Sequence, residues 1–140
     1  MEIDSVNESN INYLKSYLKE HHSNSTPLKL CIASKYATSK QIENLYSHGF
    51  RTFGENKIQN GIQKIQVLSH LKNVEWHFIG HLQTNKVQRA LEYFNVIQSI
   101  DTLKLLSKID MVSNRLNKKT TGYIQINSGN DPKKFGFSIE

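Results

Sequence analysis

The residues best suited to chemistry in this chain stand at the ends of short apolar runs. Lys35 follows the run 28–34, Glu55 and Asn56 follow 51–54, and Gly80 and His81 follow 75–79. Ser99 and Asp101 come at the end of 96–100, and Asn127 and Ser128 at the end of 122–127. One lysine among amides, an imidazole and hydroxyls is a donor set that can trap a carbonyl compound. Partial desolvation at an apolar strand end favours the neutral amine, the form that attacks a carbonyl carbon. A strand-end lysine taken alone simply extends its stem into water. The company it keeps makes Lys35 a candidate nucleophile, on a par with the reading as a solvated lysine.

Other candidates weaken on inspection. His77 and His81 have the i, i+4 spacing of a helical metal site, but their segment reads as extended. At about 3.3 Å per residue their backbones lie roughly 13 Å apart, too far to share one ion. No metal site is expected. His21 and His22 sit at a helix end, where solvation or the helix dipole accounts for them. Cys31 reads as a small buried apolar residue within a strand. Trp76 and Phe78 alternate with His77 and Ile79, so one pair is expected to pack under helices. No Ser/His/Asp order and no paired carboxylates suggest hydrolytic chemistry.

The elements that position these residues follow from periodicity. Residues 1–22 carry a helical stripe of Ile11, Leu14 and Leu18. Thr38-Ser39-Lys40-Gln41 has the form of a capping box and opens a helix with Ile42, Leu45 and Tyr46 inward, ended by Gly49. Asn56 is expected to cap a helix bearing Ile58, Ile62, Ile65 and Leu68. A further helix is expected over 85–94. Asp101 is expected to cap one that faces Leu103, Leu106, Ile109, Val112 and Leu116 inward.

Strands begin near residues 28, 51, 75, 96 and 121, a repeat of about 21 to 25 residues, the size of a strand–helix unit. Such units give parallel strands with right-handed crossovers. Neither G-x-G-x-x-G nor a Walker A loop is present to support an open nucleotide-binding sheet. Polar residues at every strand end suit a (β/α)8 TIM-type barrel with its site on the carboxyl-end rim. The fold class expected is therefore α/β. Only about five of eight units fit in 140 residues, so a single, C-terminally truncated barrel domain over 1–140 is expected, with an unpaired last edge.

Composition bounds the rest. Eighteen Lys and Arg against 12 Asp and Glu give a net charge of +6, with 37% hydrophobic residues and a mean hydropathy of −0.54. The basic residues are scattered, with doublets only at Lys118-Lys119 and Lys133-Lys134, which argues against a nucleic-acid stripe. A small anionic ligand suits the same charge. No apolar run approaches the ~18 residues of a membrane helix. The acidic start lacks a signal-peptide pattern, and one cysteine fits a reducing compartment. A cytoplasmic protein is expected, with no membrane partner.

Five segments carry a family resemblance: Ile32-Ala33-Ser34-Lys35, Phe53-Gly54-Glu55-Asn56, the run Trp76-His77-Phe78-Ile79-Gly80-His81-Leu82-Gln83-Thr84-Asn85-Lys86, Ser99-Ile100-Asp101-Thr102, and Lys134-Phe135-Gly136-Phe137. With these the chain, over about 28–140, resembles the N-terminal part of the pyridoxal-phosphate homeostasis proteins, which have an alanine-racemase N-terminal-like barrel of the PLP fold-type III kind. The resemblance implies a protein that holds pyridoxal 5′-phosphate (PLP) as a Schiff base on Lys35, with Asn56, Gly80 and His81 beside the cofactor ring. It implies a carrier that buffers PLP without catalytic turnover, PLP-dependent apoenzymes as partners, and a monomer when complete. The family commonly follows its Ser-Lys with Thr-Lys-Pro, where Tyr36-Ala37-Thr38 stand here, and has an acidic residue where Asn60 stands. Its phosphate cup, a Ser/Gly loop and an Arg-Ile-Gly segment, belongs to the final barrel units. Two other readings stay open, a racemase-like PLP enzyme and a truncated half-barrel that binds nothing.

Overall fold

The structure, a computed structural model, describes residues 6–21 and 28–139. The five strands are β1 (Ile32–Ala33), β2 (Thr52–Glu55), β3 (Glu75–Phe78), β4 (Val96–Ile100) and β5 (Thr121–Ile124). They form one parallel sheet in the order β1-β2-β3-β4-β5. Each neighbour is the next strand in sequence, as in a (β/α) barrel; among the described residues there are four strand–helix units and a fifth strand. The helices α1 (Glu8–His21), α2 (Ser39–Ser47), α3 (Ile58–Val67), α4 (Val87–Tyr93) and α5 (Leu103–Arg115) precede and connect them. None is long and apolar enough to cross a membrane, among the described residues.

Strand alternation sorts side chains between two faces. Phe53 pairs with Trp76 and Glu55 with Phe78, all pointing toward the helices, while Gly54 and His77 face the other way. The core lies on the helix side. Phe53 and Trp76 pack with ring centroids 5.6 Å apart, and Phe78 meets Phe94 edge-on at 5.4 Å. Ile42, Val87, Leu91, Ile97 and Leu105 close the layer, each at most 1% exposed. Burying such side chains supplies roughly 1.5–3 kcal/mol apiece, which holds the strand ends in register.

Several expectations need correction. The first strand is far shorter than 28–34. It lies at the sheet edge, and β2, its one partner, is only four residues long. Asn56 does not cap α3: Lys57 is the N-cap residue and makes no side-chain cap bond. Nor does Asp101 cap α5, because the Thr102 hydroxyl accepts from Leu105 N at 3.2 Å. Starting α5 one residue later turns Leu103 outward, 71% exposed, and Leu105 inward. The helix expected over 85–94 opens as a 3-10 turn, Thr84–Lys86, before α4. The capping box at Thr38 and Gln41 is present in both directions, and Gly49 ends α2 at φ +94°. Ile11 is buried as its stripe requires. His22 and part of the 1–22 segment lie outside the described residues.

Candidate functional site

Four strand ends deliver side chains to one rim. Lys35 leaves β1 in the turn where Ala37 N donates to Ser34 O at 2.9 Å. It is exposed, and its Nζ sits over its neighbour Tyr36, 5.0 Å from the ring centroid. No carboxylate pairs with it among the described residues. Immediately behind it the turn is anchored. Ser34 N donates to Gly54 O at 2.9 Å, and Ser34 Oγ donates to Glu55 Oε1 at 2.6 Å. Lys64 Nζ, from α3, donates to Ser34 O at 2.7 Å and to Glu55 Oε1 at 2.8 Å. Glu55 is fully buried and Lys64 is 14% exposed. Glu55 was expected on the open rim; its position on the helix-facing side of β2 puts it underneath instead. Its second oxygen has no hydrogen-bond partner, so Lys64 supplies its main electrostatic compensation.

Asn56 and Gly80, at the ends of β2 and β3, are pressed together. A Cβ on Gly80 would stand 2.2 Å from Asn56 O, inside any allowed contact. Only glycine lets the chain after β3 approach that closely, and the next residue, His81, is aimed by it. His81 Nδ1 lies 2.9 Å from Asp101 Oδ2. Asp101, freed from helix capping, has a side chain only 4% exposed. The chain after β5 folds back through Asn127 N to Phe137 O and Phe137 N to Gln125 O, both 2.9 Å. Gly136 turns at φ +130°, where a Cβ would stand 2.7 Å from Asn127 N. That turn lays Phe135 flat on His81, ring centroids 3.7 Å apart and planes within 13°. Beside this group a cavity of about 600 Å³ opens over Phe78, lined among others by Asn56, Lys57, His81, Gln83 and Lys86.

The other sheet face carries a second polar chain. Gln98 Nε2 donates to His77 Nδ1 at 2.6 Å, and His77 Nε2 lies 3.3 Å from Glu75 Oε1 without hydrogen-bond geometry. Lys29 completes the series by pairing with Glu75. Burial holds the His77 imidazole below its ordinary range, opposed in part by Glu75. Burial pushes the Cys31 thiol up. Cys31 is half-buried against the same face, near Gly54.

Thus the structure brings Lys35, Asn56, Gly80 and His81 to one rim, with Asp101 behind His81. Ser99 is buried with an unpartnered hydroxyl, and Asn127 is occupied in holding its own loop through Asp131. Sequence reasoning missed Lys64 and the role of Phe135. Lys64 was detectable: it stands three residues after Gly61 and four before Leu68, both buried, so helical spacing turns it inward. Phe135 had only the following glycine as a signal.

No family model matches the chain. It is 36% identical over 113 residues to the pyridoxal phosphate homeostasis protein of Synechocystis, covering 81% of this chain and 52% of that one. The protein of that name from Haemophilus influenzae is 34% identical over 128 residues, 91% of this chain and 54% of the relative. The chain therefore spans about half the length of the curated relatives it matches. The structure of PipY from Synechococcus elongatus without PLP superposes with a TM-score of 0.80 at 32% identity, over 90% of this chain and 58% of that one. The PLP-bound form of PipY gives 0.76 at 29%, over 91% and 58%. By sequence and by fold the chain is similar to a part of these proteins.

Proposed function

We propose that this chain is the N-terminal barrel portion of a cytoplasmic pyridoxal 5′-phosphate carrier of the homeostasis type, holding the cofactor as a Schiff base on Lys35. One observation carries the reading: an exposed lysine amine, unpaired with any carboxylate among the described residues, at the end of the first strand of a TIM-type sheet. Similarity to proteins named for PLP homeostasis and to a PLP-bound structure supports it. The cofactor supplies an aldehyde carbon that an amine captures reversibly with loss of water.

The donor set fits that group in part. Lys35 stands on a flexible four-carbon stem, Asn56 offers an amide, and the Gly80 contact brings the His81 imidazole to the same rim. Asn56, Gly80 and His81 are the proposed neighbours of the ring. Reversible capture suits a buffer that hands its cargo to PLP-dependent apoenzymes rather than an enzyme. A racemase-like reaction needs a second acid/base on the opposite face of the ring, and no described residue is assigned that role.

The test is chemical. Incubation with PLP should give an absorbance band near the visible edge, and borohydride should fix a pyridoxyl group that peptide mapping assigns to Lys35. Lys35→Ala should abolish both signals. An adduct mapped to another lysine, or none in the unaltered chain, would sink the reading.

A further inference from the structure

We infer that Asp101 and Phe135 are positioning residues that hold His81 as a proton acceptor, at Nε2, for amine exchange at Lys35. The inference rests on the reading of Lys35 as the Schiff-base lysine. Three segments remote in sequence meet at this imidazole: the end of β3, the end of β4 and the loop after β5. An ionised carboxylate only accepts hydrogen bonds. The proton between the two residues therefore sits on His81 Nδ1, and whenever the ring is neutral its lone pair is at Nε2. Nε2 has no hydrogen-bond partner among the described residues.

Helix capping does not account for the carboxylate. Thr102 performs that task for α5, and Asp101, nearly buried, has its side chain turned to His81. Phe135 covers one ring face, and its own backbone is fixed by the Gly136 turn. Rotation of the imidazole is thereby opposed at Nδ1 and on one face, which leaves the Nε2 edge. Strands β1 and β3 are two places apart in the sheet, so their ends are separated by about 10 Å at 4.8 Å per strand. A lysine side chain with a small molecule attached spans such a gap.

The proton balance explains why an acceptor is useful there. When one neutral amine replaces another at the carbon of a protonated imine, a new C–N bond forms and the bond to the lysine nitrogen breaks. The incoming nitrogen loses a proton and the departing lysine nitrogen gains one. His81 Nε2 takes the first and returns one, ending as it began.

Nitrogen-15 NMR of the ligand-free protein near pH 8 reads the tautomer directly. The unaltered chain should carry its proton on His81 Nδ1, and Asp101→Asn, whose amide can donate, should move it to Nε2. With pyridoxal-loaded protein, displacement by glycine should slow at least about tenfold in Asp101→Asn and in His81→Gln, and in Asp101→Asn the equilibrium fraction trapped by borohydride should be unchanged. Phe135→Ala should slow exchange too, and Phe135→Trp should restore it. Should Asp101→Asn fail to fold, His81→Gln and Phe135→Ala, both at exposed side chains, carry the same expectation. A proton found on Nε2 in the unaltered chain, or variants that exchange at its rate, would overturn the inference alone. An unaltered chain that forms no Lys35 adduct would overturn the reading beneath it as well.

Discussion

A buried ion pair directly beneath a proposed nucleophile is costly unless each charge keeps its partner. Glu55 and Lys64 meet that condition through a shared oxygen and the Ser34 carbonyl. Removing one partner strands the other in a low-dielectric site, whereas removing both charges costs far less. Lys64→Met should therefore lose about 3 kcal/mol of stability in denaturant unfolding, and Glu55→Gln added to it should recover most of that loss. If Lys64→Met unfolds at the same denaturant concentration as the unaltered chain, the pair is not what anchors the Lys35 turn. The sequence displayed Lys35, Asn56, Gly80 and His81 openly, because polar residues directly after apolar runs land on one rim. Lys64 was hidden because a charged residue within a helix is ordinarily read as solvent-facing. Its role is legible only once Glu55 is known to lie beneath the strand end.

At the scale of elements, strand–helix alternation was legible throughout, and the misjudged start of α5 has an identifiable cause. Where two adjacent residues can both cap a helix, spacing alone does not choose between them. At 101–102 a tertiary partner decides: His81 engages Asp101, so Thr102 caps α5 and its inward face shifts to Leu105. The β3–β4 pair makes a testable statement of its own, because it buries His77 between Gln98 and Glu75. Burial lowers the His77 imidazole below its ordinary 6.5, so between that lowered value and 6.5 the unfolded chain binds more protons than the folded one. Stability then rises with pH across the window and is lost as pH falls through 6.5. Glu75, held down chiefly by its hydrogen bond from Lys29, adds a further loss below 4.5, its ordinary value. Chemical denaturation at successive pH values should show the first decline below 6.5, and His77→Gln, which keeps an acceptor for Gln98, should flatten it. A decline of equal size in His77→Gln would assign the effect elsewhere.

For the molecule as a whole, the decisive question under the proposed function is which end of the cofactor these five strands would hold. On the proposed reading Lys35 supplies the amine that captures the aldehyde. A phosphate is ordinarily held by backbone N–H groups and a forked guanidinium; Arg51 and Arg115 are engaged elsewhere, and Arg89, on the wall of the cavity beside His81, already faces a carboxylate. Arg51 stacks on Tyr46 and donates to the Tyr46 and Phe50 carbonyls. Arg115 donates to Gln88, and Arg89 lies 3.5 Å from Glu92. None follows a strand. The resemblance assigns the phosphate cup to later barrel units, and the chain matches about half of each relative. Phosphate should thus add little: pyridoxal and pyridoxal 5′-phosphate should be captured at Lys35 with affinities within about threefold, less than 1 kcal/mol apart. Equilibrium titration followed by borohydride trapping measures both. A preference for the phosphorylated form beyond about tenfold would mean these units already contain an anion site. The cavity with Lys57 and Lys86 on its wall would then be where to look, and Lys86→Gln should erase the preference while leaving pyridoxal capture intact.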